Sequence, residues 1–218
     1  MSQEILDVLI VGAGPGGIAT AVECEIAGVK KALLCEKTES HSGMLEKFYK
    51  AGKRIDKDYK KQVVELKGHI PFKDSFKEET LENFTNLLKE HRINEDNAKN
   101  LQEVLGNNTL KSKLGVDIES LEEDGTQIKV NFTDNTSESF DRLLYAIGGS
   151  TPLEFFKRCS LELDPSTNIP VVKENLESNN IPNLFIVGDI LFKSGASIAT
   201  ALNHGYDVAQ EIAKRLRS

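Results

Sequence analysis

Six residues near the start of the chain, Gly12-Ala13-Gly14-Pro15-Gly16-Gly17, form a Gly-x-Gly-x-x-Gly turn. That spacing suits the cradling of a pyrophosphate. Gly12 permits a tight turn, Gly14 lets the backbone approach the phosphates, and Gly17 allows close helix–strand packing. Pro15 and Gly16 complete the turn. A helix opening here directs free N–H groups and a partial positive charge at an anion. Glu36 follows nineteen residues after Gly17. An acid there accepts both hydroxyls of an adenosine ribose. It also repels a 2′-phosphate, so NADP is disfavoured at this site. The alternative is that the glycines serve packing alone; strand, helix and acid together outweigh it.

A second group with chemical potential lies late in the chain. Gly188-Asp189 ends the apolar run Leu184-Phe-Ile-Val187, which puts an acid at the carboxyl end of a strand, where ligands of open α/β sheets sit. A helix beginning near Ala196 or Ser197 would aim its N–H groups at an electron-rich ring. Other reactive side chains are dispersed. Cys24, Cys35 and Cys159 form no C-x-x-C pair and read as structural thiols. His204 on the last helix reads as half-exposed, with an influence on a nearby ring as the alternative. His41 and Gly43 belong either to a surface loop or to a segment wrapping the pyrophosphate. His69 and His91 are too isolated for a metal site. The basic stretch Lys47–Lys61, with Tyr49 and Tyr59, reads as a solvated loop.

These groups need particular elements to position them. Ile5–Val11 is an almost wholly apolar run, as in a central parallel strand covered on both faces. A helix over 18–27 and a second strand over 31–36 complete a βαβ start. Periodicity is lost from Lys37 to Asp74. Ser75-Phe-Lys-Glu78 predicts a capping box opening a helix with Leu81, Phe84, Leu87 and Leu88 inward, and Asn94 predicts a cap for another. A three-stranded meander follows: 116–121, then 127–132 after the hairpin signal Asp124-Gly125, then 139–147 after a turn at Asp134-Asn135. Thr151-Pro-Leu-Glu154 predicts one more helix cap. Ile198, Leu202, Ala209, Ile212 and Leu216 line one face of a long final helix.

Composition sets limits. The chain has 218 residues, 39% apolar, with 27 Lys and Arg against 34 Asp and Glu, for a net charge of −7. Disorder is excluded as the main state, and a nucleic-acid binder led by phosphate neutralisation is disfavoured. No apolar run reaches a membrane span, the first residues lack the shape of a signal peptide, and three scattered cysteines fit a reducing cytoplasm.

With the glycine turn, Glu36, the strand Tyr145-Ala-Ile-Gly148-Gly149, the lead-in Asn180-Ile-Pro-Asn183 and Gly188-Asp189 in this order, the sequence resembles the FAD-containing pyridine nucleotide-disulfide oxidoreductases, in particular their thioredoxin-reductase-like branch. The resemblance implies an α/β, Rossmann-like FAD-binding fold: a central parallel sheet with a three-stranded antiparallel β-meander. It implies a single FAD-binding domain over 1–218, with a first half over 1–92, a helix and meander over 93–150, and a second half over 151–218. Carried over, the ADP half of FAD falls to Gly12, Gly14, Pro15, Gly16, Gly17, Glu36, Lys37 and Gly43. Gly148 lets the chain pass close to the dinucleotide. Gly188 and Asp189 take the ribityl chain, and Ser197, Ile198 and Ala199 face the pyrimidine edge of the flavin.

Two features depart from the family. The inserted NAD(P)H unit, with its own glycine turn, has no counterpart, as though about a hundred residues were missing from the middle. The C-x-x-C dithiol is absent as well, so no catalytic residue is assigned and no metal is expected. The resemblance implies flavin-mediated electron transfer between a small-molecule donor, NADH or NADPH supplied from outside, and an unidentified small-molecule acceptor. Dimers are usual in that family, so the resemblance points to a homodimer, while composition points to a cytoplasmic protein without nucleic-acid or membrane partners. Two alternatives stand beside it: a non-catalytic FAD- or NAD-binding module, and an NAD-dependent dehydrogenase, which the late Gly-Asp disfavours.

Overall fold

The computed structural model describes residues 6–58, 63–91, 111–124, 127–145, 153–193 and 196–217. The first half contains β1 (Val8–Val11), α1 (Pro15–Ile26), β2 (Ala32–Glu36), α2 (Gly43–Phe48), β3 (Arg54–Ile55), β4 (Ser75–Phe76) and α3 (Lys77–Glu90). After it come β5 (Lys111–Leu114), β6 (Ile118–Asp124), β7 (Gln127–Phe132), β8 (Ser137–Phe140) and β9 (Leu143–Tyr145). Helix α4 (Leu153–Arg158), strand β10 (Leu184–Ile186) and helix α5 (Ile198–Arg217) complete the order.

A five-stranded parallel sheet in the order β10-β9-β1-β2-β5 forms the centre. Strands β1 and β10, and β2 up to Cys35, are apolar on both faces because both are covered, as in parallel sheets generally, whereas the edge strand β5 has the sequence Lys-Ser-Lys-Leu. Alternate side chains enter different cores. Val8 and Ile10 of β1, Ala32 and Leu34 of β2, and Phe185 of β10 pack with α1, α3 and α5. Leu9 and Val11, Leu33 and Cys35, and Leu184 and Ile186 pack on the other side with Val130, Phe132 and Phe140 of the meander and Phe156 of α4. Each fully buried side chain of this size contributes about 1.5–3 kcal/mol of transfer free energy.

Helices α1 and α5 cross closely because both present small residues. A Cβ added at Gly205 would stand 2.5 Å from Ala19 Cβ and 2.7 Å from Thr20 N. The inward stripe read for the last helix is present: Ile198, Leu202, Ala209 and Ile212 are buried and Leu216 packs against them.

Four expectations change. The third meander strand read over 139–147 is two strands in two sheets. β8 pairs antiparallel with β7, whereas β9 pairs parallel with β1 and β10. The switch falls at Asp141–Arg142, where Asp141 N–H donates to Leu6 O and Leu9 N–H to Arg142 O. The capping box at Ser75 is not made: Ser75 Oγ bonds Thr80 Oγ1, Phe76 stands at the helix start, and Glu78 accepts the Gly52 N–H instead. The aperiodic stretch 37–74 contains α2 and strand β3, and β3 pairs antiparallel with β4 just beyond its end. The fourth change is an added edge strand, β5, beside β2. The expected antiparallel pairing of the first two meander strands is present, with Asp124 opposite Gln127; Gly125 lies outside the described residues. The helix expected after Asn94, the cap at Thr151 and Tyr59 lie outside the described residues.

Candidate functional site

The glycine turn leaves β1 at the carboxyl edge of the sheet, as its position between an apolar strand and a helix demands. Gly12 has φ +96°, in the left-handed region that favours glycine, and its N–H donates to Cys35 O at 2.7 Å. Gly14 is the N-cap of α1 and Pro15 its first residue, where the missing proline N–H costs nothing. The Gly16 and Gly17 amides lie in the first turn, which has no intrahelical acceptor for them.

Glu36 ends β2 beside this turn. Its Oε2 accepts the Ala13 N–H at 2.8 Å, and its Oε1 accepts the Thr38 N–H at 3.0 Å. The Thr38 hydroxyl lies 3.0 Å from the same Oε1. A carboxylate offers about four acceptor positions, so Oε2 has room for a further donor. The following segment folds back on the turn: Ser42 N–H donates to Ala13 O at 2.8 Å. Lys37 is exposed at its start. Gly43 opens α2, where a Cβ would stand 3.1 Å from Thr38 Oγ1.

Gly188 and Asp189 meet the glycine turn from the other side. A Cβ at Gly16 would be 3.0 Å from Val187 Cγ2 and 3.6 Å from both Gly188 N and Ala201 O. Gly16 thus makes a close approach to a strand end, and Gly17 is buried within α1. Gly188 has φ +101° and leads into a short 3-10 turn, Asp189–Leu191. Ser197 caps α5, its Oγ accepting the Thr200 N–H at 3.1 Å. Ser197, Ile198 and Ala199 are all buried. Gly148 lies outside the described residues.

The remaining candidates do not gather into a reactive cluster. Burial pushes the Cys24 thiol up to about 12 and raises that of Cys35 as well; Cys159 is buried just past α4. His69 Nδ1 pairs with Glu23 at 2.8 Å and His91 with Glu25, and no group of metal-ligating side chains exists among the described residues. His41 is buried rather than on a surface loop, bonded to Ser42 Oγ and Thr85 Oγ1. Tyr49 packs against the core, with Lys53 Nζ 3.9 Å from its ring centroid. Among the described residues no helix is long and apolar enough to cross a membrane. Thr38, which orients Glu36, and Gly205, which lets α5 reach α1, escaped the sequence reading. A hydroxyl two residues past an acid and a glycine on a helix's small-residue face are the signals that mark them.

The arrangement joins the Gly12–Gly17 turn, the Glu36 carboxylate and the Gly188–Asp189 turn along one sheet edge. Residues 75–205 match the family model described as pyridine nucleotide-disulphide oxidoreductase. The thioredoxin reductase of Plasmodium falciparum is 32% identical over 89 residues, which is 40% of this chain and 16% of that protein. The match thus spans about one-sixth of that relative's length. The bacillithiol disulfide reductase of Bacillus cereus superposes with a TM-score of 0.71 at 13% identity, covering 97% of this chain and 100% of that one. The thioredoxin reductase of T. acidophilum gives 0.63 at 12% identity, covering 99% and 100%. At such identities the likeness is one of fold.

Proposed function

The chain belongs to the pyridine nucleotide-disulphide oxidoreductase family, and from that membership we propose that it is an FAD-binding flavoprotein passing electrons from NADH or NADPH to an acceptor. Membership implies FAD. One observation carries the reading for this chain: the turn at Gly12–Gly17 and the Gly188–Asp189 turn meet at one edge of the parallel sheet, with Gly16 within van der Waals reach of Val187 and Gly188. A lone nucleotide site on the glycine turn has no use for the second turn.

The residues fit such a group. The Gly16 and Gly17 amides are placed for the pyrophosphate, and Glu36, held by Ala13 and Thr38, retains acceptor capacity for ribose hydroxyls. Gly188 brings the backbone past the cradle in a conformation that side chains disfavour. Asp189 would hold the ribityl chain, and the first turn of α5 would face the flavin. FAD, when bound, supplies hydride acceptance and electron transfer. The chain's own residues bind and orient it. The buried, high-pKa thiols of Cys24 and Cys35 argue against a role in dithiol exchange. The bacillithiol and thioredoxin reductases of similar fold make a disulfide compound one acceptor class to test.

The test is the visible spectrum of the purified chain, followed by anaerobic addition of NADH and then NADPH. Yellow protein bleached by either is a reductase. Yellow protein that neither bleaches is a flavin module without a donor site, the second reading, which the missing second glycine turn favours. A colourless protein that FAD cannot reconstitute overturns the proposal.

A further inference from the structure

Gly188 leaves β10 with φ +101°, and its amide N–H donates to Nδ1 of His204 at 3.4 Å. His204 lies about two turns into α5, counted from the Ser197 cap. Its ring stacks on Phe192, with centroids 5.7 Å apart and planes at 18°. Phe192 closes the short turn that Gly188 opens, donating its N–H to Asp189 O at 3.0 Å. One imidazole thus touches both ends of the 188–192 turn and joins it to α5.

We propose that His204 is a positioning residue: its neutral imidazole fastens the Gly188–Asp189 turn to helix α5, and gaining a proton releases that turn. The inference rests on reading this turn and the start of α5 as the flavin side of an FAD site. To accept the Gly188 N–H, Nδ1 must be bare, so the neutral ring carries its proton on Nε2. A proton on Nδ1 sets donor against donor. The long bond leaves little to offset that repulsion.

The surroundings favour the neutral form. Burial holds the imidazole below its ordinary 6.5. Asp207, one turn along α5, draws the proton in, and Lys67 opposes it. These two pair with each other at 2.6 Å, which offsets much of both effects. Glu174 and His204 both line a cleft of about 340 Å³ that Val64, Lys67 and Thr200 also line, and Asp189 stands in the turn itself. The cleft gives solvent protons a route to the ring. Because the fastened form has the lower pKa, it is favoured above 6.5 and is lost as pH falls below it.

The experiment measures FAD affinity of the full chain from about pH 8 to about pH 5, for wild type, His204→Asn and His204→Phe. Asn places an oxygen where Nδ1 stands and does not titrate; Phe keeps the stack and removes the acceptor. Wild type should lose affinity by about fivefold to tenfold on acidification. Asn should hold the high-pH affinity at all pH values. Phe should be about fivefold weaker throughout. Ring ¹⁵N chemical shifts of the FAD-free protein should show Nδ1 bare and Nε2 protonated near neutral pH. Wild-type affinity in the Phe variant, an unchanged acid loss in the Asn variant, or a protonated Nδ1 each overturns the proposal. If wild type binds no FAD even at high pH, the flavoprotein reading fails, and the ¹⁵N shifts decide the tether alone.

Discussion

Replacing Glu177 by Gln probes the anchor behind the Gly188 turn. Glu177 is 5% exposed. Its carboxylate accepts Arg215 Nη1 at 2.7 Å and Nη2 at 3.3 Å, Asn183 N–H at 2.8 Å and Lys173 Nζ at 3.0 Å. Arg215 also donates to Glu211 at 2.7 Å and lies 5.1 Å from the Phe185 ring centroid. The set ties the chain entering β10 to the end of α5. The Arg215 guanidinium, helped by the Asn183 amide and Lys173, overcomes burial and draws the carboxyl from 4.5 down to about 2. At about 1.4 kcal/mol per pH unit, that displacement is worth about 3 kcal/mol. This agrees with the cost of about 3–5 kcal/mol for removing one partner of a buried pair. The folded state holds the lower pKa, so the stabilisation is complete above 4.5 and is lost as pH falls toward about 2. Urea unfolding should therefore find Glu177→Gln about 3 kcal/mol less stable at about pH 7. The gap should narrow once pH drops below 4.5. A gap under about 1 kcal/mol at neutral pH, as for a surface pair, or one unchanged down to about pH 3, would refute the reasoning.

Glu36→Ala should weaken FAD binding by about tenfold to a hundredfold, because charge-assisted bonds to ribose are lost and the Ala13 N–H is left without its partner; an unchanged Kd in calorimetry contradicts the assignment. Gly205→Ala forces a Cβ to within 2.5 Å of Ala19 Cβ. It should cost about 1–3 kcal/mol, read as a Tm lower by about 2–4 °C for each kcal/mol, and an unshifted Tm would mean the helices do not cross so closely. Cys24 and Cys35, buried with raised thiol pKa values, should resist iodoacetamide in the native protein; mass spectrometry finding them alkylated as fast as after denaturation would exclude that packing.

Local order was readable from residue types alone. Gly12–Gly17 sits between an apolar strand and a helix of small residues, so strand, turn and helix are encoded within one short stretch. The apolar run of β1 and the stripe Ile198–Leu216 likewise announce burial through their own periods. What residue types could not supply was the identity of distant partners. The run 139–147 is continuously strand-like, yet it divides at Asp141–Arg142: up to Phe140 it pairs with β7, and beyond that it takes Leu6, just before β1, and Leu9 of β1 as backbone partners. Ser75 has the spacing of a cap, but Thr80 takes its hydroxyl and Gly52 takes Glu78. His204 reads as an ordinary helix residue until Gly188 and Phe192 arrive at its ring. Periodicity records how deeply a residue is buried, and a motif records what its neighbours in sequence can do. Which backbone amide meets which side chain depends on where α5 crosses α1 and where β10 ends, and packing across the whole chain settles that.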